Sequence, residues 1–386
     1  KVVVGNAGVV RVDKVGSAVS TVREGDTAIV FCNGVPDKYG YPASAFWFVS
    51  SFLPILSAKD LADPAILQKR PNGTGPFKFK TWNRGSSITL VRNDSYYGAK
   101  PTIKTAVFRY ITDATALSNA MLSGQIDIMS TVQAPELLGV FKAKKNLTVY
   151  SGSTNCEVTL GMNNARAPFN NKLVRQAVRQ AINKKNLIKT AWSGYGLEIG
   201  SFVPPTDPWY EDLSNLYPYD VNKSKALLKS AGYANGLTIN LDLPPIAYAT
   251  NSGEFIAASL AKVGIKVNLK PIAWGEWIDR VFTKKDYDMT IVCHIESNDM
   301  AIYANPAYYF GYNSTTYQGL IKKAASAKTQ EARVENLKKA ARLLANDSVS
   351  DWLWLIPNLQ VAKKTISGIP LNTVGDAYTV DRITVG

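Results

Sequence analysis

Helical patterns in this chain are followed at short range by strand patterns, and that alternation restricts the fold more than any other feature. Thr329 to Asn346 places Ala332, Leu337, Ala340, Leu343 and Leu344 on one side of a helix, and Trp352-Leu353-Trp354-Leu355-Ile356-Pro357 returns as an apolar strand. Glu254 to Lys262 reads as a helix closed by Gly264, ahead of the alternating strand Ile265 to Leu269. Asn171 is placed to cap a helix whose Val174, Ala177, Val178, Ala181 and Ile182 recur at three- and four-residue steps. Asn222 or Ser224 starts another helix, which Gly232 ends. Ala114 to Leu122 and Pro135 to Lys142 add helices, and Thr27 to Cys32 and Ser87 to Arg92 add strands. Repeated helix-then-strand units predict α/β layering. A chain of 386 residues has room for two or three domains.

The net charge of +14 raises the question of nucleic acid. The basic residues are scattered as Lys142-Ala143-Lys144-Lys145, Lys184-Lys185, Lys284-Lys285, Lys322-Lys323 and Lys363-Lys364, with no single arm, so they read as solvated faces and no nucleic-acid partner is expected. No apolar run approaches the length that spans a bilayer. The first residue is Lys1, without a methionine or a signal-type apolar segment, which reads as a processed or truncated chain.

Catalytic patterns are thin. His294 is the single histidine, which leaves a hydrolase of the usual kind short of a general base, and GxSxG, Walker A and HExxH patterns are all missing. Asp286 with Asp288, or Glu296 with Asp299, imitates a glycosidase pair, but nothing in the sequence fixes a separation. The expectation is a binder, not an enzyme, with no cofactor; a secreted hydrolase and a cell-surface structural protein are the alternatives. Cys32, Cys156 and Cys293 are far apart without CxxC spacing, so no zinc site is expected. Two of them paired with one left over, or three buried thiols, fit the residues equally.

Gly73-Thr74-Gly75-Pro76-Phe77-Lys78-Phe79 puts a tight turn before a strand. Four further segments follow in order: Asp113 to Ile128, Leu160 to Asn183, Tyr219 to Tyr233, and Ile256 to Val267 with Asp286-Tyr287-Asp288-Met289. From about Val12 to the C-terminus this series resembles the family 5 extracellular solute-binding proteins, the oligopeptide- and dipeptide-binding components of ABC importers.

The resemblance implies a two-lobed periplasmic-binding-protein fold of type II, cluster C-like, extracellular or periplasmic and associated with the cell surface through an anchor outside this chain. One lobe is built from both chain ends, with crossings just before Cys156 and near Ala362. The expected division is therefore 1–155 for the first lobe, 156–362 for the second and 363–386 for the return. Family members carry a substantial N-terminal portion before the point matched by Val12, so the first lobe is expected to be partial, with that portion as a missing fragment. The implied partners are a peptide or oligosaccharide ligand and the permease subunits of an ABC importer. The resemblance also suggests a Cys156–Cys293 disulfide.

In the family an acidic residue after the strand matching Asp288 to Val292 holds a peptide's amino terminus. The matching position here is Ser297, so Glu296 or Asp299 takes that role after a short shift. A sugar would instead need aromatic platforms, for which Trp192, Trp209, Trp274, Trp277, Tyr303, Tyr308 and Tyr309 are candidates, each of them more often core than ligand contact; His294, at a strand end, either faces the cleft or is an ordinary packed or surface histidine. Six sequons, at Asn72, Asn93, Asn146, Asn222, Asn313 and Asn346, permit glycosylation of an exported chain.

Overall fold

The computed structural model describes residues 70–73, 75–295, 299–372 and 378–386, together with the backbone of three N-terminal strands. These are β1 (Val2–Val4), β2 (Ala7–Arg11) and β3 (Thr27–Phe31), an antiparallel meander. β4 (Phe77–Asn83), β5 (Ser87–Arg92) and β6 (Thr105–Arg109) form a second meander, entered from the Gly75-Pro76 turn. Then follow α1 (Ala114–Leu122), β7 (Ile128–Met129), a 3-10 turn at Pro135–Leu137 and α2 (Leu138–Lys142). β8 (Leu147–Met162) leads to α3 (Lys172–Ala181), α4 (Lys184–Ala191) and α5 (Val221–Ser230). β9 (Leu237–Leu243), α6 (Ala247–Ala261) and β10 (Ile265–Pro271) form a parallel βαβ unit, and a helical turn at Trp274–Glu276 continues as a π-helix over Trp277–Thr283. β11 (Met289–His294), α7 (Thr315–Ala325), α8 (Gln330–Asp347) and β12 (Ser350–Lys363) follow, and β13 (Ile366–Ser367) pairs β14 (Thr384–Val385).

The central sheet runs β10-β9-β11-β8-β12-β7. Strand alternation splits its side chains between two cores. Met289 and Ile291 of β11 join Val158, Leu160 and Met162 of β8 beneath α3 to α6. Val292 and Trp352 face the other side, beneath α7 and α8, with Tyr303, Tyr309, Phe310 and Tyr317. A smaller core of Met121, Met129, Val132, Leu138, Phe141, Leu147, Leu359 and Val361 surrounds the opposite ends of β8 and β12. The result is α/β in two lobes, sharing the long strands β8 and β12.

Helix starts follow local chemistry. Asn171 accepts from the Leu173 amide, and Thr329 from that of Ala332, as their positions predict. α5 is capped by Asp220, whose carboxylate accepts from the Lys223 amide; Ser224, read from sequence as a starter, is buried and donates to the Ala177 carbonyl at 2.7 Å. α6 begins at Ala247, seven residues before Glu254. The intervening Thr250-Asn251-Ser252-Gly253 looks like a breaker, but Ser252 bonds back to the Tyr248 carbonyl and Gly253 lets the helix lie against Leu243. Gly264 ends the unit with φ +89°, a conformation that suits glycine.

Buried charge sits between α3, α4 and β12. Asp351 lies 2.9 Å from the Lys184 ammonium and 3.4 Å from the Arg179 guanidinium, all three removed from water. Lys184 also donates to the carbonyls of Ile199 and Trp352, and Arg179 to those of Ala345 and Gly200. Burial pushes both cations below their ordinary pKa values, with Asp351 opposing. One turn earlier Arg175 donates to the carbonyls of Asp347 and Ser348 at the end of α8, where the helix dipole favours a cation. Burial lowers Arg175 to about 10.

Candidate functional site

β8 and β12 pair along nearly their whole lengths; the register slips by one residue at Leu353 and breaks more widely around Ile356. Leu355 faces Glu157 and Pro357 faces Ser153, so Ile356 alone stands opposite the three residues Thr154, Asn155 and Cys156. The cause is legible in the chain: proline has no amide hydrogen to give to a neighbouring strand. Local side chains take up the freed backbone groups. Thr154 Oγ1 donates to the Ile356 carbonyl at 2.5 Å and accepts from the Cys156 amide at 3.0 Å, while Asn155 Nδ2 donates to the Ile295 carbonyl. A bulge of this kind bends the strand and re-aims its side chains.

A cavity of about 510 Å³ opens at this break. Its floor is Thr154, Asn155 and Cys156 with the Ile356–Leu359 stretch of β12. Along one wall stand Ser130, Thr131, Gln133 and Tyr378, offering hydroxyl and amide groups. The rest of the wall is mainly apolar, with Trp192, Ile246, Tyr248, Trp274 and Ile295. The volume and the mixture of apolar wall with a few polar groups are those of a small-molecule site.

Several polar groups of the wall are held by neighbours. The Tyr378 hydroxyl donates to Gln360 Oε1 at 2.9 Å, and Gln360 Nε2 to the Pro370 carbonyl; burial raises the Tyr378 phenol to about 12. Asn358 Nδ2 reaches the carbonyls of Pro370 and Leu371, and Asn372 Oδ1 accepts from the Ser153 amide. That approach needs Gly152, because a Cβ there would lie 1.8 Å from the Leu371 carbonyl oxygen. Trp192 is almost wholly buried, and among the described residues its indole N–H has no hydrogen-bond acceptor.

The sequence candidates fall into separate groups. Trp192 and Trp274 line the cavity. Cys156 and Cys293 also line it and are joined as a disulfide, with Cα atoms 5.4 Å apart. His294 follows Cys293 on β11, so alternation turns it to the opposite face, where Nε2 lies 2.8 Å from Tyr309 Oη among Phe202 and Phe310. Trp277, Tyr303 and Tyr309 belong to the core beneath α7 and α8, and Trp209 packs on its edge. Trp277 donates to Thr290 Oγ1 at 2.9 Å. Glu296 lies outside the described residues; Asp299 opens a 3-10 turn, Asp299–Ala304, and its side chain is likewise outside them. Thr154, Asn155, Tyr248 and the 130–133 loop are wall residues that sequence reading did not single out, though Pro357 within a strand pattern marks the place.

Among the described residues no helix is long and apolar enough to cross a membrane. No group of three or more His, Cys, Asp or Glu among them is placed to hold a metal ion.

Comparison with known proteins gives a consistent result. Residues 16–319 match the family described as bacterial extracellular solute-binding proteins, family 5 middle. The dipeptide-binding protein of Escherichia coli is 28% identical over 352 residues, covering 86% of this chain and 64% of its own length. Heme-binding protein A of Haemophilus influenzae is 27% identical over 305 residues, covering 74% and 54%. The chain thus spans a little over half to under two thirds of these relatives. Among solved structures, the ABC transporter-associated periplasmic binding protein DppA of Helicobacter pylori, in complex with the peptide STSA, superposes with a TM-score of 0.78 at 26% identity, covering 86% of this chain and 68% of that one. With the family match spanning well over half of its residues, the chain belongs to the bacterial extracellular solute-binding proteins, family 5.

Proposed function

We propose that this chain captures short peptides in the cavity at the β8–β12 break and presents them to the permease subunits of an ABC importer, outside the cytoplasm and at the cell surface. The observation that supports the reading is the position of the cavity at the β8–β12 break, between the polar groups of 130–133 and Tyr378 on one side and Trp192, Tyr248 and Trp274 on the other. Residues 1–155 and 363–386 make the first lobe in this reading, and 156–362 the second. A ligand touching both walls stabilises the state in which the lobes close on it, and closure is what the importer reads. The polar wall suits the amides of a peptide backbone, the aromatic wall its side chains, and Glu296 or Asp299 receives its amino terminus.

Thermal melts with and without ligand test this. A ligand at one hundred times its Kd adds about 2.7 kcal/mol to stability, so a binding peptide raises Tm by several degrees. Di-, tri- and tetrapeptides are expected to do so without being cleaved, and maltotriose or cellotriose is not. Stabilisation by the sugars alone replaces the peptide by an oligosaccharide. Product formation makes the chain a hydrolase, and the absence of any shift ends the reading.

A further inference from the structure

An apolar stripe leaves the cavity mouth along the helical segment after β10. Trp274 lines the cavity yet is 41% exposed, and Ile278 and Phe282 follow at four-residue steps with 51% and 41% exposure. The segment turns into a π-helix at Trp277, where four-residue steps stay on one face. Underneath, the buried Trp277 ring supports both ends of the stripe, edge-on to Trp274 at 5.8 Å and stacked on Phe282 at 6.0 Å. Thr283 Oγ1 donates to the Ile278 carbonyl at 2.8 Å and fixes the last turn. Three large apolar side chains in line, rigidly backed and open to water, mark a contact surface more than a scattered exposure does.

We propose that this stripe extends the peptide site, so that the cargo is an oligopeptide longer than the cavity whose protruding residues lay apolar side chains on Trp274, Ile278 and Phe282. The inference rests on the peptide reading above and narrows its ligand class. Trp274 decides the occupant: it belongs to both surfaces, so a chain leaving the cavity past its ring meets Ile278 next. The stripe is about 10 Å long, the reach of about three residues in extended conformation.

The test compares two probes, trialanine and a heptapeptide with Leu and Phe in its last three positions, by calorimetry on the wild-type chain and on Ile278→Ser and Phe282→Ser. Wild type is expected to bind the heptapeptide about tenfold more tightly. Each substitution should weaken the heptapeptide about five- to tenfold and leave trialanine within a factor of two. Equal affinity of wild type for both probes, or heptapeptide binding unchanged in both variants, overturns the extension and leaves peptide capture standing on trialanine. Failure of both probes to bind wild type removes the extension together with the reading beneath it. Unchanged peptide affinities with a loss of importer ATPase stimulation would assign the stripe to the permease instead.

Discussion

The two halves of the β8–β12 ribbon have very different surroundings. From Glu157 to Met162 and from Ser350 to Leu355 the ribbon is covered on both faces by large cores and flanked by β11, β9 and β10. From Leu147 to Ser153 and from Pro357 to Lys363 its neighbour is the two-residue β7, and the core around it is small. Among the described residues one continuous pair of strands is therefore backed by two large cores at one end, its stiff half, and by two smaller ones at the other, and the cavity lies where they meet. Pro357 stands at the boundary between the two halves.

The strongest way to break this contrast is to untie the stiff half from the junction. The Cys156–Cys293 bond closes 137 residues of chain and ties the bulged part of β8 to the end of β11. Replacing both cysteines by serine is expected to cost roughly 4–5 kcal/mol in urea unfolding, the loop-closure expectation for a span of this size. A cost below about 1 kcal/mol would mean that packing alone holds β8 and β11 together.

Next comes the buried charge of the stiff half. Asp351→Ala leaves Arg179 and Lys184 without their anion in a dry site, which is expected to destabilise by about 3–5 kcal/mol. The single exchange Lys184→Met keeps Arg179 paired with Asp351 and should cost clearly less. Similar losses in the two variants would show that the ammonium's bonds to the Ile199 and Trp352 carbonyls outweigh the ion pair.

How much of this was legible in the chain differs between the same two regions. The stiff half announces itself through the periodicity of α3 and α8 and the apolar run Trp352 to Ile356, since deep burial leaves a compositional mark. The segment order carried the family. Wall residues such as Thr154, Asn155 and Tyr248 left no such mark, because their role comes from a ladder break and from strands distant in sequence. His294 and Tyr309 illustrate the converse: as polar aromatics they look like ligand contacts, yet they satisfy one another inside a core. The parity of β11, Cys293 toward the cavity and His294 away from it, decides this, and parity depends on register that only the folded sheet fixes.

A smaller effect concerns the loop after α4. Burial raises the Asp207 carboxyl to about 6, with Arg333 opposing. The folded chain then holds a proton that the unfolded chain, near 3.8, releases. This stabilising contribution is complete below the unfolded value and is lost as pH rises through about 6. Asp207→Asn is expected to gain on the order of 1–2 kcal/mol at pH 7 and nothing at pH 3.5. Denaturant midpoints of the two proteins that stay parallel from pH 3.5 to 7 would show that the carboxylate remains hydrated.

The smallest stability effect is expected at the cavity itself, where binding and folding should part company. Among the described residues the Trp192 indole N–H meets no acceptor, so Trp192→Phe removes no hydrogen bond there and costs only the packing lost with the smaller ring, about 1 kcal/mol. An indole can only donate, so its ligand partner is an acceptor such as a peptide carbonyl. Losing that bond should weaken peptide binding about two- to tenfold, the worth of one neutral hydrogen bond. Unaltered affinity with a lowered Tm would make Trp192 a packing residue that merely borders the cavity. Lowered affinity at nearly constant Tm would show that the indole N–H serves recognition and the ring's apolar body serves the core.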